Sequence, residues 1–316
     1  MITAELKQKL RNQQYEIVGK HARVKTCHWT KKDLRNEGAC YKNKFYGINS
    51  HQCIQMTPTF TCNNACIFCW RDSRYHTESA MQGKIDEPAE IVEGTIKAQK
   101  RLLSGFGGNE NADKQKFSRA LKPQHVAISL DCEPTLYPRL NELVKEYKKK
   151  GFSTFVVSNG LLPEKIEKLL EEPPTQLYVS VDAPNEELFN AIDKPIIKNA
   201  WEKLITSLRM LPKLREKTRT ALRFTLIKEL NMVKPEQWAE IIKLSKPMFV
   251  EAKAYMWVGQ SRERLKQTNM PLHREVKQFA LEIAKHCNYR LIDEHAPSRV
   301  VLLMKEDFEG RVMKFD

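Results

Sequence analysis

The sequence contains no hydrophobic run that approaches the ~20 residues needed to span a membrane. Its N-terminus also lacks the apolar core of a secretory signal peptide. No repeat and no low-complexity tract stands out in the 316 residues. These absences exclude membrane-spanning and secreted classes. We therefore expect one large α/β domain or two smaller ones in a reducing cytoplasm, where cysteines are ligands or free thiols rather than disulfides.

Acidic residues are scarce relative to basic ones: 39 Asp and Glu against 53 Lys and Arg give a net charge of +14. The first 50 residues hold eleven basic and four acidic residues. Such a balance favours nucleic acid as a polyanionic partner, although a lysine-rich surface of a heat-adapted protein gives the same composition. The basic N-terminal segment and the cluster Arg262, Arg264 and Lys266 are candidate RNA contacts.

Eight cysteines are present, and six of them lie between Cys27 and Cys69. Cys62, Cys66 and Cys69 follow a CxxxCxxC spacing. Three thiolates can bind three irons of a [4Fe–4S] cluster and leave the fourth iron open for a substrate or cofactor. Structural zinc sites use four ligands, often as paired CxxC motifs, and no fourth Cys or His follows closely here. The spacing therefore favours an iron–sulfur cluster over zinc.

Short β-rich segments alternate with helical periods from about residue 50 onward. Strands are predicted at about 54–58, 125–130, 154–158, 176–181, 220–227 and 248–255, with helices near 87–103 and 199–216 among those between them. Such alternation predicts a parallel sheet, open or barrel-like. The cysteine motif, the segments 131–135 and 159–160, and Asp182 all follow strand ends. In α/β barrels the loops at these ends carry the chemistry.

These features resemble the radical S-adenosylmethionine (SAM) enzymes, with CxxxCxxC and Trp70 after the first strand, Glu133-Pro134 after the second and Asn159-Gly160 after the third. The likeness narrows to the archaeal tRNA 4-demethylwyosine synthases over about residues 10–304, through segments 40–47, 68–71, 125–130, 133–138 and 251–256. It implies a partial (β/α)6 TIM-like barrel over residues 53–304. An N-terminal extension (1–52) would carry second-cluster cysteines and a basic surface, and a tail (305–316) would follow.

The resemblance also implies the cofactors, namely SAM and two [4Fe–4S] clusters. The second cluster would be bound by Cys27, Cys40 and Cys53, whose even spacing on its own fits a zinc site or buried thiols about as well. Pyruvate would be held by the open iron of this second cluster, by a Schiff base with Lys42, or by both. Lys42 is the lysine that the family suggests, because a partly desolvated amine near iron can act as a nucleophile. Lys44 is its nearby competitor.

Five side chains are expected to bind the cofactor: Trp70, Glu133, Asn159, Ser180 and Arg223. Glu133 would accept from the SAM ammonium group, and Asn159 and Ser180 would contact its ribose or carboxylate. Arg223 would pair with a carboxylate of SAM or pyruvate. Each of these four polar residues is equally explained as an ordinary polar side chain at a strand end. The family usually has glycine where Cys132 stands, so Cys132 is tolerated, crowds the cofactor, or adds a thiol near a cluster.

The function implied is condensation of N1-methylguanosine, 3′ of the anticodon of tRNA-Phe, with pyruvate to form 4-demethylwyosine. A 5′-deoxyadenosyl radical would abstract hydrogen from the N1-methyl group, and the pyruvate carboxyl carbon would leave, which makes the enzyme a carbon–carbon lyase. An external flavodoxin- or ferredoxin-type donor, a monomeric chain and no membrane contact are expected. The alternatives are another radical SAM RNA-modifying enzyme, or a non-enzymatic iron–sulfur or zinc RNA-binding protein that cleaves no cofactor.

Overall fold

The structure is a computed structural model that describes residues 4–72 and 76–315. The first three residues of the predicted extension and the last residue of the predicted tail lie outside these ranges. The strands are β1 (Glu16–Val18), β2 (Ala22–Val24), β3 (Cys53–Thr57), β4 (His125–Ile128), β5 (Ser153–Ser158), β6 (Gln176–Ser180), β7 (Arg219–Leu226), β8 (Phe249–Ala254), β9 (Arg290–His295) and β10 (Val300–Met304). The helices are α1 (Ala4–Asn12), α2 (His28–Leu34), α3 (Tyr41–Tyr46), α4 (Pro88–Leu103), α5 (Lys114–Ala120), α6 (Leu140–Lys149), α7 (Pro163–Lys168), α8 (Glu186–Asp193), α9 (Ala200–Leu214), α10 (Pro235–Ser245) and α11 (His273–Lys285). Within the described ranges, no helix is long and apolar enough to cross a membrane.

The strands form one sheet in the order β1-β2-β3-β4-β5-β6-β7-β8-β10-β9. From β3 to β8 all neighbours are parallel and follow chain order. The hairpin β1–β2 adds to β3 in antiparallel orientation, and β10 and then β9 add to β8. Because β3 and β8 pair with these flanking strands, the six-stranded barrel stays open. The predicted partial (β/α)6 barrel is confirmed.

All six predicted strands are confirmed to within two residues at each end. These strands are recognisable in the sequence because parallel strands are buried on both faces and so form short apolar runs. In β4, for example, all four residues are buried. Of the four flanking strands, β10 (Val300–Met304) is an apolar run buried at all five positions, which the sequence analysis did not assign. The other three had no such signal. β1 and β2 have three residues each, and no residue of β9 is fully buried, so neither hydrophobic alternation nor an apolar run marks them in the sequence.

Helix α3 lies against the inner wall of the barrel. Its Tyr41, Phe45 and Tyr46 pack in one cluster with Tyr178 of β6 and other inward-facing residues. The hydroxyls of Tyr41 and Tyr46 donate to the two carboxylate oxygens of Glu251 on β8, at 2.8 and 2.7 Å. Because Glu251 is fully buried, these two bonds satisfy a charge that water cannot reach, and they anchor α3 inside the barrel.

The residues after β10 cross the N-terminal ends of the strands. Arg219, at the start of β7, donates to the carbonyl of Arg311 at 2.7 Å. The amide of Met313 donates to the carbonyl of Tyr46 at 3.0 Å. A side chain at Gly47, whose φ is +80°, would place its Cβ 2.0 Å from the Met313 carbonyl oxygen. Glycine therefore allows the tail to close this end of the barrel and leaves the opposite end for the site.

Candidate active site

A cavity of about 460 Å³ occupies the end of the barrel at which the parallel strands terminate. The predicted site residues that line it are Lys42, Cys27, Cys40, Cys53, Cys62, Cys66, Cys69, Trp70, Glu133, Asn159, Ser180 and Arg223. All twelve residues singled out from the sequence thus share one cavity. They reach it from the N-terminal extension, from the loops after strands, and from inward-facing strand positions.

The cysteine motif, residues 62–69, follows the end of β3 and is fixed by main-chain bonds to the end of α8. The amide of Ala65 donates to the carbonyl of Asp193 at 3.1 Å, and that of Ile67 donates to the carbonyl of Ile192 at 2.8 Å. The loop therefore takes its conformation from the barrel and not from its own sequence alone.

A segment after β8 covers the other side of this loop. Arg264 donates from Nε to the Ile67 carbonyl at 3.0 Å and from Nη2 to the Cys69 carbonyl. Gly259 has a φ of +58°, and a Cβ there would lie 2.3 Å from the Trp70 carbonyl oxygen. Glycine thus permits the close approach. Arg264, a candidate RNA contact in the sequence, has its guanidinium engaged with the cysteine loop instead.

The three thiols of this loop affect one another. Burial raises the pKa of Cys62 to about 11, and the charge of Cys69 adds to the rise. Burial also raises the pKa of Cys66 far above its usual range, with contributions from Asp193, Cys62 and Cys69. Three thiolates here would repel each other without a cation, and bound iron would supply the compensating positive charge.

Cys27, Cys40 and Cys53 form a second group of thiols. Cys27 and Cys40 directly precede α2 and α3, and Cys53 begins β3. Burial raises the pKa of Cys40 and of Cys53 to about 12; the charge of Cys27 raises both further, and that of Lys42 lowers both. Lys42 is therefore within electrostatic reach of this second group.

Within residues 4–72 and 76–315, no three His, Cys, Asp or Glu side chains converge closely enough to hold a single metal ion. A [4Fe–4S] cluster makes a different demand, because each thiolate binds its own iron. Two groups of three neighbouring thiols that line the same cavity fit that demand.

Lys42 and Lys44 lie in different environments although both belong to α3. The Lys42 Nζ is 4.7 Å from the centroid of the Tyr178 ring and 5.6 Å from that of Phe155. Lys44 pairs with Asp293 at 2.8 Å, and 52% of its side chain is exposed. Of the two lysines, Lys42 lines the cavity.

Glu133 connects two of the loops at the barrel rim. Its Oε1 accepts from the amide and hydroxyl of Thr135 and from the hydroxyl of Ser158, at 2.6–3.1 Å. Its Oε2 accepts from the Asn159 amide at 2.7 Å. Because a carboxylate offers about four acceptor sites, Oε2 keeps capacity for a donor in the cavity. The Asn159 side chain donates to Asn63 at 2.6 Å.

Arg223 on β7 lies beside Ser180 of β6 in the sheet register. Burial opposes its charge, yet the nearby Tyr41 and Glu251 hold its pKa above the ordinary value. Its Nε is buried and has no hydrogen-bond partner in the described part of the chain. A buried guanidinium with a spare donor suits a carboxylate ligand.

Residues 56–244 match the family model described as the radical SAM superfamily, and residues 244–305 match that described as wyosine base formation. A Pyrococcus horikoshii protein named S-adenosyl-L-methionine-dependent tRNA 4-demethylwyosine synthase is 48% identical over 321 residues, which cover 98% of this chain and 93% of that protein. The chain belongs to the tRNA 4-demethylwyosine synthases.

Solved structures agree with this assignment. A structure of TYW1 with a lysine–pyruvate adduct bound has a TM-score of 0.89 at 40% identity, covering 99% of this chain and all of that one. A crystal structure of archaeal TYW1 has a TM-score of 0.79 at 37% identity, covering 96% and 97%. As a radical SAM enzyme of wyosine biosynthesis, this synthase acts on tRNA with SAM and a [4Fe–4S] cluster.

Cys132 of this synthase adopts a left-handed backbone conformation, with a φ of +60°. Such a conformation costs an L-residue about 1–2 kcal/mol and costs glycine nothing comparable, which accounts for the glycine expected at this position. The Cys132 thiol accepts from Arg23 at 3.1 Å and from Arg71, and Arg23 also pairs with Asp131 at 2.6 Å. The thiol lies on the cavity wall between two buried guanidinium groups.

Lys253 is a cavity residue of the synthase that the sequence analysis did not assign. Its Nζ donates to the Ser298 carbonyl at 3.1 Å. Burial lowers the pKa of Lys253 to about 8, and the neighbouring Arg223 adds to the fall, so the amine loses its proton more readily than an ordinary lysine. Its position two residues after Glu251 on β8 places both on one face of the strand, and this was the signal that could have found it.

Proposed function

We propose that this synthase condenses pyruvate with N1-methylguanosine, 3′ of the anticodon of tRNA-Phe, to form 4-demethylwyosine, and that Lys42 holds the pyruvate. Loss of the pyruvate carboxyl carbon makes it a carbon–carbon lyase. The observation that carries the proposal is the position of Lys42 on the wall of a cavity shared with two groups of cysteines. The lysine–pyruvate adduct in the related TYW1 structure supports it.

Two clusters are proposed in this cavity. The first would be held by Cys62, Cys66 and Cys69, and the second by Cys27, Cys40 and Cys53. When bound there, SAM and the first cluster would supply a 5′-deoxyadenosyl radical able to remove hydrogen from the N1-methyl group, with one electron from a separate flavodoxin- or ferredoxin-type protein.

Lys42 would act on pyruvate before that step. Its Nζ attacks the carbonyl carbon, a C=N bond forms, and the carbonyl oxygen leaves as water. The rings of Phe155 and Tyr178 lie beside Nζ and shield the imine from bulk water. Arg223 would hold the pyruvate carboxylate.

The SAM end of the cavity has donors and acceptors of the right kind. The Glu133 Oε2 has room to accept from an ammonium group. Ser180, Asn159 and Trp70 line the same cavity, and Ser180 and Asn159 would contact ribose hydroxyls or a carboxylate. These residues would orient SAM against the first cluster.

The decisive experiment uses anaerobically reconstituted enzyme, N1-methylguanosine-containing tRNA and isotopically labelled pyruvate. Nucleoside mass spectrometry measures label in the modified base, and borohydride reduction with peptide mapping locates trapped pyruvate. We expect trapping on Lys42 in the parent and in Lys44→Ala, and no trapping in Lys42→Ala. Lys44 is the matched control because it lies two residues away on the outer side of the same helix.

An adduct that survives Lys42→Ala would contradict the assignment, and mapping it to Lys253 would move the Schiff base across the cavity. Absence of label from the modified base in the parent enzyme would contradict pyruvate as the substrate.

A further inference from the structure

A basic groove of about 630 Å³ lies between the end of α1, the middle and end of α2 and the end of α4, and it shares no lining residue with the reaction cavity. Four of its five charged lining residues are basic: Arg11, Lys31, Arg35 and Arg101, against Glu16. The groove therefore has a positive potential and favours an anionic ligand.

Two of these cations are available to a ligand. Arg11 is exposed and has no acidic partner among residues 4–72 and 76–315. Lys31 donates to the neutral amide oxygen of Gln14 at 2.7 Å, which leaves its charge uncompensated. Both side chains therefore offer a positive charge to a phosphate group in the groove.

The other two cations are in exposed ion pairs. Arg101 pairs with Glu16 at 2.7 Å, and Arg35 pairs with Glu37 at 2.6 Å. Exposed pairs of this kind contribute little to stability, because water and salt screen them. Phosphate groups can therefore replace the carboxylates at small cost.

The groove adjoins the reaction cavity through a pair of stacked rings. Tyr15 lines the groove and Trp70 lines the cavity; their centroids are 6.3 Å apart and their planes differ by 11°. The Lys25 Nζ lies 4.6 Å from the Tyr15 centroid and 5.6 Å from that of Trp70. A strand held in the groove would thus have its next nucleotide at the edge of the cavity.

We propose that this groove binds the phosphodiester backbone of the substrate tRNA beside the modified nucleotide, with the Tyr15–Trp70 pair at the boundary that the unstacked base crosses. The proposal rests on the proposed function, since it assumes that the base reacts in the cavity. Backbone contacts fix register without reading sequence, and a base that reacts in a pocket must leave its stack. An extended basic groove next to such a pocket meets both needs.

The test is the double variant Arg11→Gln/Lys31→Gln of the reconstituted enzyme. Its affinity for N1-methylguanosine-containing tRNA is measured by fluorescence anisotropy across a salt series. Loss of two phosphate contacts lowers the slope of log K against log salt by about 1.4–1.8 and weakens binding about 15- to 30-fold at 0.15 M salt. The control, Arg209→Gln/Lys213→Gln, neutralises two exposed cations on α9, which packs against α7 and α10.

We expect the control to bind tRNA as the parent does. Borohydride trapping of pyruvate without tRNA shows that the groove variant is folded and has a working cavity. The proposal is wrong if the groove variant binds tRNA with the affinity and the salt dependence of the parent. It is also wrong if the control variant loses as much affinity as the groove variant. Failure of the parent to incorporate pyruvate would contradict the proposed function instead, and the binding series would still decide whether the groove holds RNA.

Discussion

Removing one hydroxyl that anchors α3 should both destabilise the fold and misplace the reactive lysine. In Tyr46→Phe the ring stays and the donor to Glu251 is lost, so that no cavity is created. Glu251 is fully buried, and a hydrogen bond to a charged group contributes about 1.5–3 kcal/mol. We expect a fall of about that size in the free energy of unfolding.

The double variant Tyr41→Phe/Tyr46→Phe should lose more than the sum of the two single changes. Each single variant leaves Glu251 one of its two tyrosine donors. The double variant removes both donors from a buried carboxylate. The changes in unfolding free energy caused by mutating two residues that share a partner do not simply add. A double-mutant cycle from urea unfolding measures this coupling.

Tyr147→Phe is the matched control. Tyr147 is equally buried, but its hydroxyl bonds to the neutral hydroxyl of Thr95 at 2.6 Å, away from α3. Tyr147→Phe should lower the free energy of unfolding by about 0.5–1.5 kcal/mol and leave pyruvate trapping unchanged. Tyr46→Phe, in contrast, should reduce trapping at saturating pyruvate. If Tyr46→Phe is no more destabilising than the control and traps pyruvate normally, the anchor has no such role.

Two other changes test the site and the core. Cys132→Val should be about 2 kcal/mol less stable than Cys132→Gly, because a β-branched residue is strained at the φ of +60°; equal urea midpoints would contradict this. Burial lowers the pKa of His125 to about 4. As pH falls from about 6.5 to about 4, the unfolded chain takes the proton first and stability drops by about 3 kcal/mol. His125→Gln should flatten this part of a pH series of unfolding free energies; an unchanged slope would exclude His125 as its source.

The sequence was sufficient for the features that depend on local pattern. The six parallel strands are apolar and buried, so their positions could be predicted closely. The cysteine spacing and the strand-end polar residues predicted which side chains would meet. Lys42 could be placed near the second group of cysteines because it lies two residues after Cys40.

Features that depend on distant pairing could not be predicted. The six residues of α3 read as an ordinary aromatic segment, and their place inside the barrel depends on Glu251, which is 205 residues beyond Tyr46. The contact of Arg264 with the cysteine loop likewise needs the fold to bring the two segments together. None of these contacts has a sequence periodicity.

The two walls of the cavity are anchored independently. Cys40 directly precedes α3 and Lys42 lies in its first turn, so the anchor at Glu251 positions a proposed cluster ligand and the proposed Schiff-base lysine together. The other group of thiols depends on α8 and Arg264. Loosening α3 should therefore impair pyruvate capture and leave reductive SAM cleavage intact. That separation follows if pyruvate is held on one wall and the radical arises at the other, with the base entering between them.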